Sequence, residues 1–226
     1  MDIKIYQTYF DQSQLGVLDP SFIPFDNTSN EQPLLREYPL LKKLHEQNAN
    51  FDGYWGMTSW RWYEKTKLSG AQFISWVQDN PGYDLYHVNH YPKYRDKNIF
   101  WQGEHCHGGM LDCLRRIITI LGYNNFDFDV KYPREYFITC HYYVATNAVW
   151  DRLIDFFNKC VEVSNQDKQV YEYMHVGKTR HRSEHIINFS FVMERLPALY
   201  LLLHQDIRIK EYPPIATNDN IPRALR

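Results

Sequence analysis

Residues 3–10 read IKIYQTYF, a run of β-branched and aromatic residues close to the start of the chain. Such a run predicts a strand, because these side chains pack well on a pleated surface. The next segment decides how that strand is used. LGVLDPSFIPFDNTSNEQP (residues 15–33) is long and is broken by Asp19-Pro20, Pro24 and Asp26-Asn27. It reads as a loop, with Leu18, Phe22, Ile23 and Phe25 as anchors that keep it ordered. Leu34, Leu35, Tyr38, Leu41 and Leu44 then recur at helical spacing, with Pro39 expected to kink that helix.

The alternation continues along the chain. A second strand is expected over Tyr54–Trp60. Ser69 and Gln72 form a capping-box start for a helix carrying Phe73, Ile74 and Val77, which Asn80-Pro81-Gly82 ends. DLYHVN (residues 84–89) is a short strand that runs into a polar loop. His107 to Leu121 is amphipathic through Met110, Leu114 and Ile118, and Gly122 ends it. Tyr136–Ala145 reads as a strand, Asn147–Val163 as a helix, Ser164–Glu184 as a polar stretch, and Ile186–Leu203 as a last helix. Strands alternating with helices predict an α/β fold in one domain, a mainly parallel sheet covered by helices on both faces. Residues 1–204 are assigned to that domain and 205–226 to an extended strap or flexible tail.

Composition narrows the class. Of the 226 residues, 44% are hydrophobic and 23% charged, enough for a real core. The formal net charge of -2 argues against a protein that grips nucleic acid mainly through phosphates. Aromatic residues make up 16%, with 18 Tyr and 6 Trp, which suits either a ring-binding cleft or an aromatic core. Cys106, Cys113, Cys140 and Cys160 form no CxxC pair and read as reduced thiols. With no secretory signal and no run of about 18 apolar residues, a soluble cytoplasmic protein without a transmembrane segment is expected.

In open α/β sheets ligands bind beyond the carboxyl ends of the strands, so the loops after the strands are the places to search. Asp26 and Asn27 suit a ribose or a base edge, or else serve as turn formers. WQGEHCHGG (residues 101–109) runs into a helix whose free N–H groups suit an anion, with Glu104 and His107 beside it. Zinc on that His-x-His pair has no third ligand at a recognisable spacing. The basic run 175–182, with Lys178 and Arg180, suits a diphosphate or is a solvated turn. Glu194-Arg195 interrupts an apolar helix, as an internal ion pair or as a carboxylate facing a cleft. Asp127-Phe-Asp129 is the one Asp-x-Asp, and it falls after a helix, where it reads as structural. No metal ligands are assigned, and a divalent metal is not favoured.

Taken together, LDPSFIPFDNTSNE (residues 18–31), YEKTKLSG (63–70), WQGEHCHGG (101–109) and FVMERL (191–196) resemble a family of bacterial and phage glycosyltransferases of capsule and surface-polysaccharide loci. The resemblance implies a GT-A-like nucleotide-sugar fold and transfer of sugar from a nucleotide-sugar donor to a saccharide acceptor. On this reading Tyr6, Gln7, Asp26 and Asn27 line the nucleoside pocket. Lys178 and Arg180 neutralise the diphosphate, His107 assists at the phosphates, and Glu194, or secondarily Glu104, is the base. Two rivals stand beside it: a phage enzyme that glycosylates a modified DNA base, with nucleic acid as acceptor, and a non-catalytic carbohydrate-binding protein.

Overall fold

The computed structural model describes residues 1–29, 31–91, 98–181 and 184–214, with the side chains of residues 180, 181, 184 and 185 left aside. The opening run forms β1 (Ile3–Tyr9). The expected loop after it contains a 3-10 turn (Gln12–Val17) and a short strand, β2 (Ile23–Asp26). Pro33–Leu35 is a separate turn, and α1 (Tyr38–Gln47) starts after it. Pro39 therefore sits in the first turn of α1, where its missing N–H has no partner to lose, and no kink results.

The chain continues through β3 (Tyr54–Ser59), the short helix α2 (Trp62–Thr66) and α3 (Gly70–Asp79). The capping box is present: Ser69 Oγ accepts from the Gln72 amide, and Gln72 Oε1 accepts from the Ser69 amide at 3.0 Å. After β4 (Leu85–His87), the expected polar loop over 101–109 is in fact mostly helix, α4 (Ile99–Cys106). Asn98 starts it, its Oδ1 accepting from the amides of Phe100 and Trp101. Then come α5 (Met110–Ile120), β5 (Tyr143–Thr146, shorter than the expected 136–145) and α6 (Asn147–Gln166). The polar stretch holds α7 (Lys168–Tyr171), a π-helical turn (Glu172–Val176) and a hairpin of β6 (Lys178–His181) and β7 (Glu184–Ile187).

The expected last helix is two pieces, α8 (Phe189–Met193) and α9 (Leu196–Leu203). Pro197 in the first turn of α9 cannot continue the hydrogen-bond ladder, so the helix breaks at Glu194-Arg195. The strap contributes β8 (Ile209–Glu211); residues 215–226 lie outside the described residues.

The six-stranded sheet runs β2-β1-β3-β5-β4-β8. Its β1–β2, β1–β3 and β4–β8 pairs are parallel, while β5 is antiparallel to both neighbours. Five strands thus point one way and β5 alone points back. Gly56 makes the β3–β5 contact possible: a Cβ there would stand 2.0 Å from the carbonyl oxygen of Tyr143.

Alternation along the strands splits the core in two. Trp55, Met57, Leu85, Tyr143 and Ala145 pack with α1, α4, α5, α6, α8 and α9. Ile5, Tyr86, Val88, Tyr142 and Val144 pack with Trp62 of α2 and Phe73 and Val77 of α3. Much of the aromatic surplus is core. Trp55 and Trp150 stack at 4.2 Å, and Trp150 Nε1 donates to the Trp55 carbonyl at 2.7 Å. No helix among the described residues is long and apolar enough to cross a membrane.

Candidate functional site

Because β5 runs against its neighbours, its N-terminal end meets the C-terminal ends of β1, β3 and β4 at one edge of the sheet. A cleft open to solvent lies there. The floor is sheet: Thr8 from β1, Met57, Thr58 and Ser59 from β3, and Cys140, His141 and Tyr142 leading into β5. Three helix ends supply charge. Glu37 stands just before the start of α1, Lys65 projects from α2, and Glu194 stands at the break between α8 and α9. This is the edge at which open α/β sheets bind ligands.

Hydrogen bonds hold the floor. Thr8 Oγ1 donates to the Thr58 carbonyl at 3.1 Å, and Ser59 Oγ and Tyr142 OH share a bond of 2.8 Å. Thr58 Oγ1 is buried with no hydrogen-bond partner among the described residues. Cys140 carries a positive φ of 56°, a left-handed conformation that costs energy for a side chain other than glycine. Its sulfur lies 3.9 Å from Lys65 Nζ and 3.8 Å from His90 Nε2.

Burial sets most protonation states here. It pushes the Cys140 thiol and the Tyr142 phenol up to about 12, and holds His90 well below the usual histidine range, where Lys65, Arg195 and Arg61 depress it further. His141 is pushed down to about 4 by the same cause. Lys65 is raised, with Cys140 the largest influence, followed by Tyr142, Tyr91 and Glu194. Glu37 is raised by burial first and by repulsion from Glu194 second.

Glu194 is fixed from behind. Arg195 Nη1 lies 3.3 Å from Glu194 Oε2, and Arg195 Nη2 donates to Gln102 Oε1 of α4 at 2.8 Å. The Arg195 side chain is 5% exposed against 26% for Glu194, so the guanidinium is the buried anchor and the carboxylate the accessible end. Glu194 is thus paired with Arg195 and is also part of the cleft lining.

Most other residues expected at the site have different neighbours. Tyr6 OH donates to Asn48 Oδ1 at 3.0 Å, and its ring meets Phe25 edge-on. Buried Gln7 bonds the Ser59 carbonyl and the Asp19 amide, locking the loop after β1 to β3. Asp26 accepts from the Thr28 amide and hydroxyl, the turn-forming role. Asn27, 7% exposed, keeps a buried Nδ2 without a hydrogen-bond partner among the described residues at the end of β2.

Glu104 itself occupies the anion position expected at the start of α5. Its two carboxylate oxygens accept from the amides of Gly109 at 2.8 Å and Leu111 at 2.7 Å. His107 is buried and stacks on Phe191 at 3.7 Å. Lys178 is exposed on β6 and is not among the residues lining the cleft, and the Arg180 side chain lies outside the described residues. Asp129 bonds Arg115 and Trp101 Nε1, and Asp127 accepts from the Asp129 amide, so this pair closes a turn. Among the described residues no group of three or more His, Cys, Asp or Glu side chains gathers as a metal-holding set.

Among the described residues, then, Glu194 is the one expected site residue that lines the cleft. Glu37, Lys65, Cys140, His141 and Tyr142 line it too, without having been singled out as site residues. One of them left a trace in the sequence: Lys65 lies in segment 63–70, one of the four that carry the resemblance. The others carry no local signal. Comparison of the chain with family models, with curated proteins and with solved structures gives no match in any of the three.

Proposed function

We propose that the protein is a glycosyltransferase that moves a sugar from a nucleoside diphosphate sugar to a hydroxyl of a saccharide acceptor, by a single inverting displacement. The observation that carries the reading is Glu194: an accessible carboxylate on a buried arginine anchor, at the carboxyl edge of a mostly parallel sheet, facing a protonated lysine. A sugar hydroxyl is a weak nucleophile at neutral pH and needs a base. Glu194 takes its proton as the oxygen attacks the anomeric carbon. The bond to the diphosphate breaks, and its electron pair leaves with the nucleoside diphosphate. A double displacement through Cys140 is disfavoured, because its thiol is pushed up to about 12.

In this proposal the nucleoside lies along the carboxyl ends of β1 and β2, beside Asp26 and Asn27, while Tyr6, Gln7, Glu104 and His107 are structural. Lys178 and Arg180 keep their assignment to the diphosphate, which the Lys178→Ala variant tests through donor affinity. The reaction itself is tested with a panel of UDP-, GDP-, CMP- and dTDP-sugars. A donor at a hundred times its dissociation constant adds about 2.7 kcal/mol of stability. A panel that neither raises the melting temperature nor turns over with any saccharide acceptor sinks the proposal.

A further inference from the structure

Two cations, Lys65 and Arg195, stand at the cleft against one carboxylate, Glu194. The second carboxyl, Glu37, is driven toward its neutral form by burial and then by Glu194. His141, Cys140 and Tyr142 are neutral at pH 7. Arg195 is answered, since its Nη1 lies 3.3 Å from Glu194 Oε2 and its Nη2 donates to Gln102. Arg61, one turn before Lys65, is bound through two nitrogens to Glu64. Lys65 has no such answer. Its Nζ sits 3.9 Å from Cys140 Sγ and 5.4 Å from the centre of the Tyr142 ring. Among the described residues no carboxylate stands within 4.0 Å of it. It is half-buried in the cleft wall, where an ammonium without a counter-ion is costly and an entering anion offsets that cost. A donor stands beside it. Ser59 Oγ and Tyr142 OH, both in the lining, share one hydrogen bond, which uses one of their two protons and leaves the other free to donate.

We propose that this cleft binds a phosphoryl group of its ligand, with Lys65 as the cation that faces it and the hydroxyl pair of Ser59 and Tyr142 as the donor beside it. A carboxylate is planar and is matched best by the planar fork of an arginine, but Arg195 is already turned to Glu194 and Gln102. The cation left over is a lysine, a point charge that the oxygens of a tetrahedral group can approach from several directions. In the transferase reading this group is the phosphate bonded to the sugar. The bond that breaks must lie close to Glu194, and Lys65 lines the same cleft whereas Lys178 does not. Lys65 then meets the negative charge that develops on the leaving oxygen. That identification rests on the transferase reading; the phosphoryl site itself does not.

The test is titration of the full chain with inorganic pyrophosphate, followed by calorimetry, with malonate as the carboxylate comparison. Pyrophosphate is expected to bind, and malonate to bind at least tenfold more weakly. Lys65→Met, checked as folded by circular dichroism, should weaken pyrophosphate at least tenfold, and Ser59→Ala several-fold. Lys65→Arg keeps the charge and should bind more tightly than Lys65→Met, which tells a lost charge from a disturbed fold. Lys178→Ala should cost less than Lys65→Met. No binding of pyrophosphate, malonate bound as tightly, or unchanged binding in Lys65→Met overturns the inference. Pyrophosphate held by Lys65 with no turnover of any sugar nucleotide supports this inference and sinks the transferase reading. Turnover whose kcat and KM are both unchanged in Lys65→Met does the reverse.

Discussion

Arg195 Nη2 donates to Gln102 Oε1 at 2.8 Å, tying the start of α9 to α4 and fixing the backbone from which Glu194 projects. This contact needs a small residue beside it. A Cβ on Gly103 would stand 2.7 Å from Met110 Sδ and 3.2 Å from Arg195 Nε. The glycine thus serves packing within a helix, although in sequence it looks like part of a loop.

Gly103→Ala is expected to cost about 1–3 kcal/mol, the usual penalty for overpacking. It should also lower turnover by more than the loss of folded protein explains, because Arg195 must shift. Chemical denaturation and turnover measured on the same sample check both parts. A variant of normal stability and normal turnover would show that the Arg195 anchor does not position Glu194.

Glu194→Gln separates chemistry from structure. The carboxylate is partly exposed, and its partner Arg195 keeps Gln102. Because the guanidinium is buried and the carboxylate is not, the stability loss should lie between the roughly 1 kcal/mol of a surface pair and the roughly 3–5 kcal/mol of a buried one. Single-turnover rates should fall about 10²–10⁴-fold, as for loss of a general base. A folded variant that binds donor and turns over normally removes Glu194 from the mechanism.

Glu104→Ala should do the opposite. The residue accepts from two amides at the start of α5, so its loss is expected to cost about 1–2 kcal/mol, as for a lost helix cap. Turnover per folded molecule should not change. A large drop in turnover without a change in melting temperature would instead give Glu104 a chemical role.

Acid should weaken the fold well before most carboxylates titrate. Burial pushes His87 and His141 from 6.5 down to about 4, and holds His90 well below 6.5. Between these limits the unfolded chain binds protons that the native state refuses, so stability is full above about pH 6.5 and falls toward pH 4. The loss at pH 5 is on the order of 2 kcal/mol each for His87 and His141. Glu37, raised in the fold, acts in the opposite direction. Urea unfolding at pH 7.5 and pH 5 measures it, and equal stability at the two values would contradict the buried, neutral histidines.

Local pattern carried much of the architecture. The run at β1, the capping box at Ser69 and Gln72, and the apolar faces of α5 and α6 each arise from their own residues, because backbone propensity and one-sided burial act over a few turns or one strand. Where a neighbour supplies the stabilisation, the pattern is silent. β2 is short and mostly exposed, held by pairing with β1, and β8 sits in a proline-rich strap, held by pairing with β4. Segment 101–109 has the glycines and histidines of a loop. It is helical because Asn98 caps its start and Gly103 makes room for Arg195. The cleft is the extreme case. Glu37, Lys65, Cys140 and Glu194 lie far apart in the chain, and the antiparallel direction of β5 and the break at Pro197 bring them to one edge. Charge and residue type were legible from the start, but their meeting is a property of long-range packing, in which each position depends on which elements stack around it.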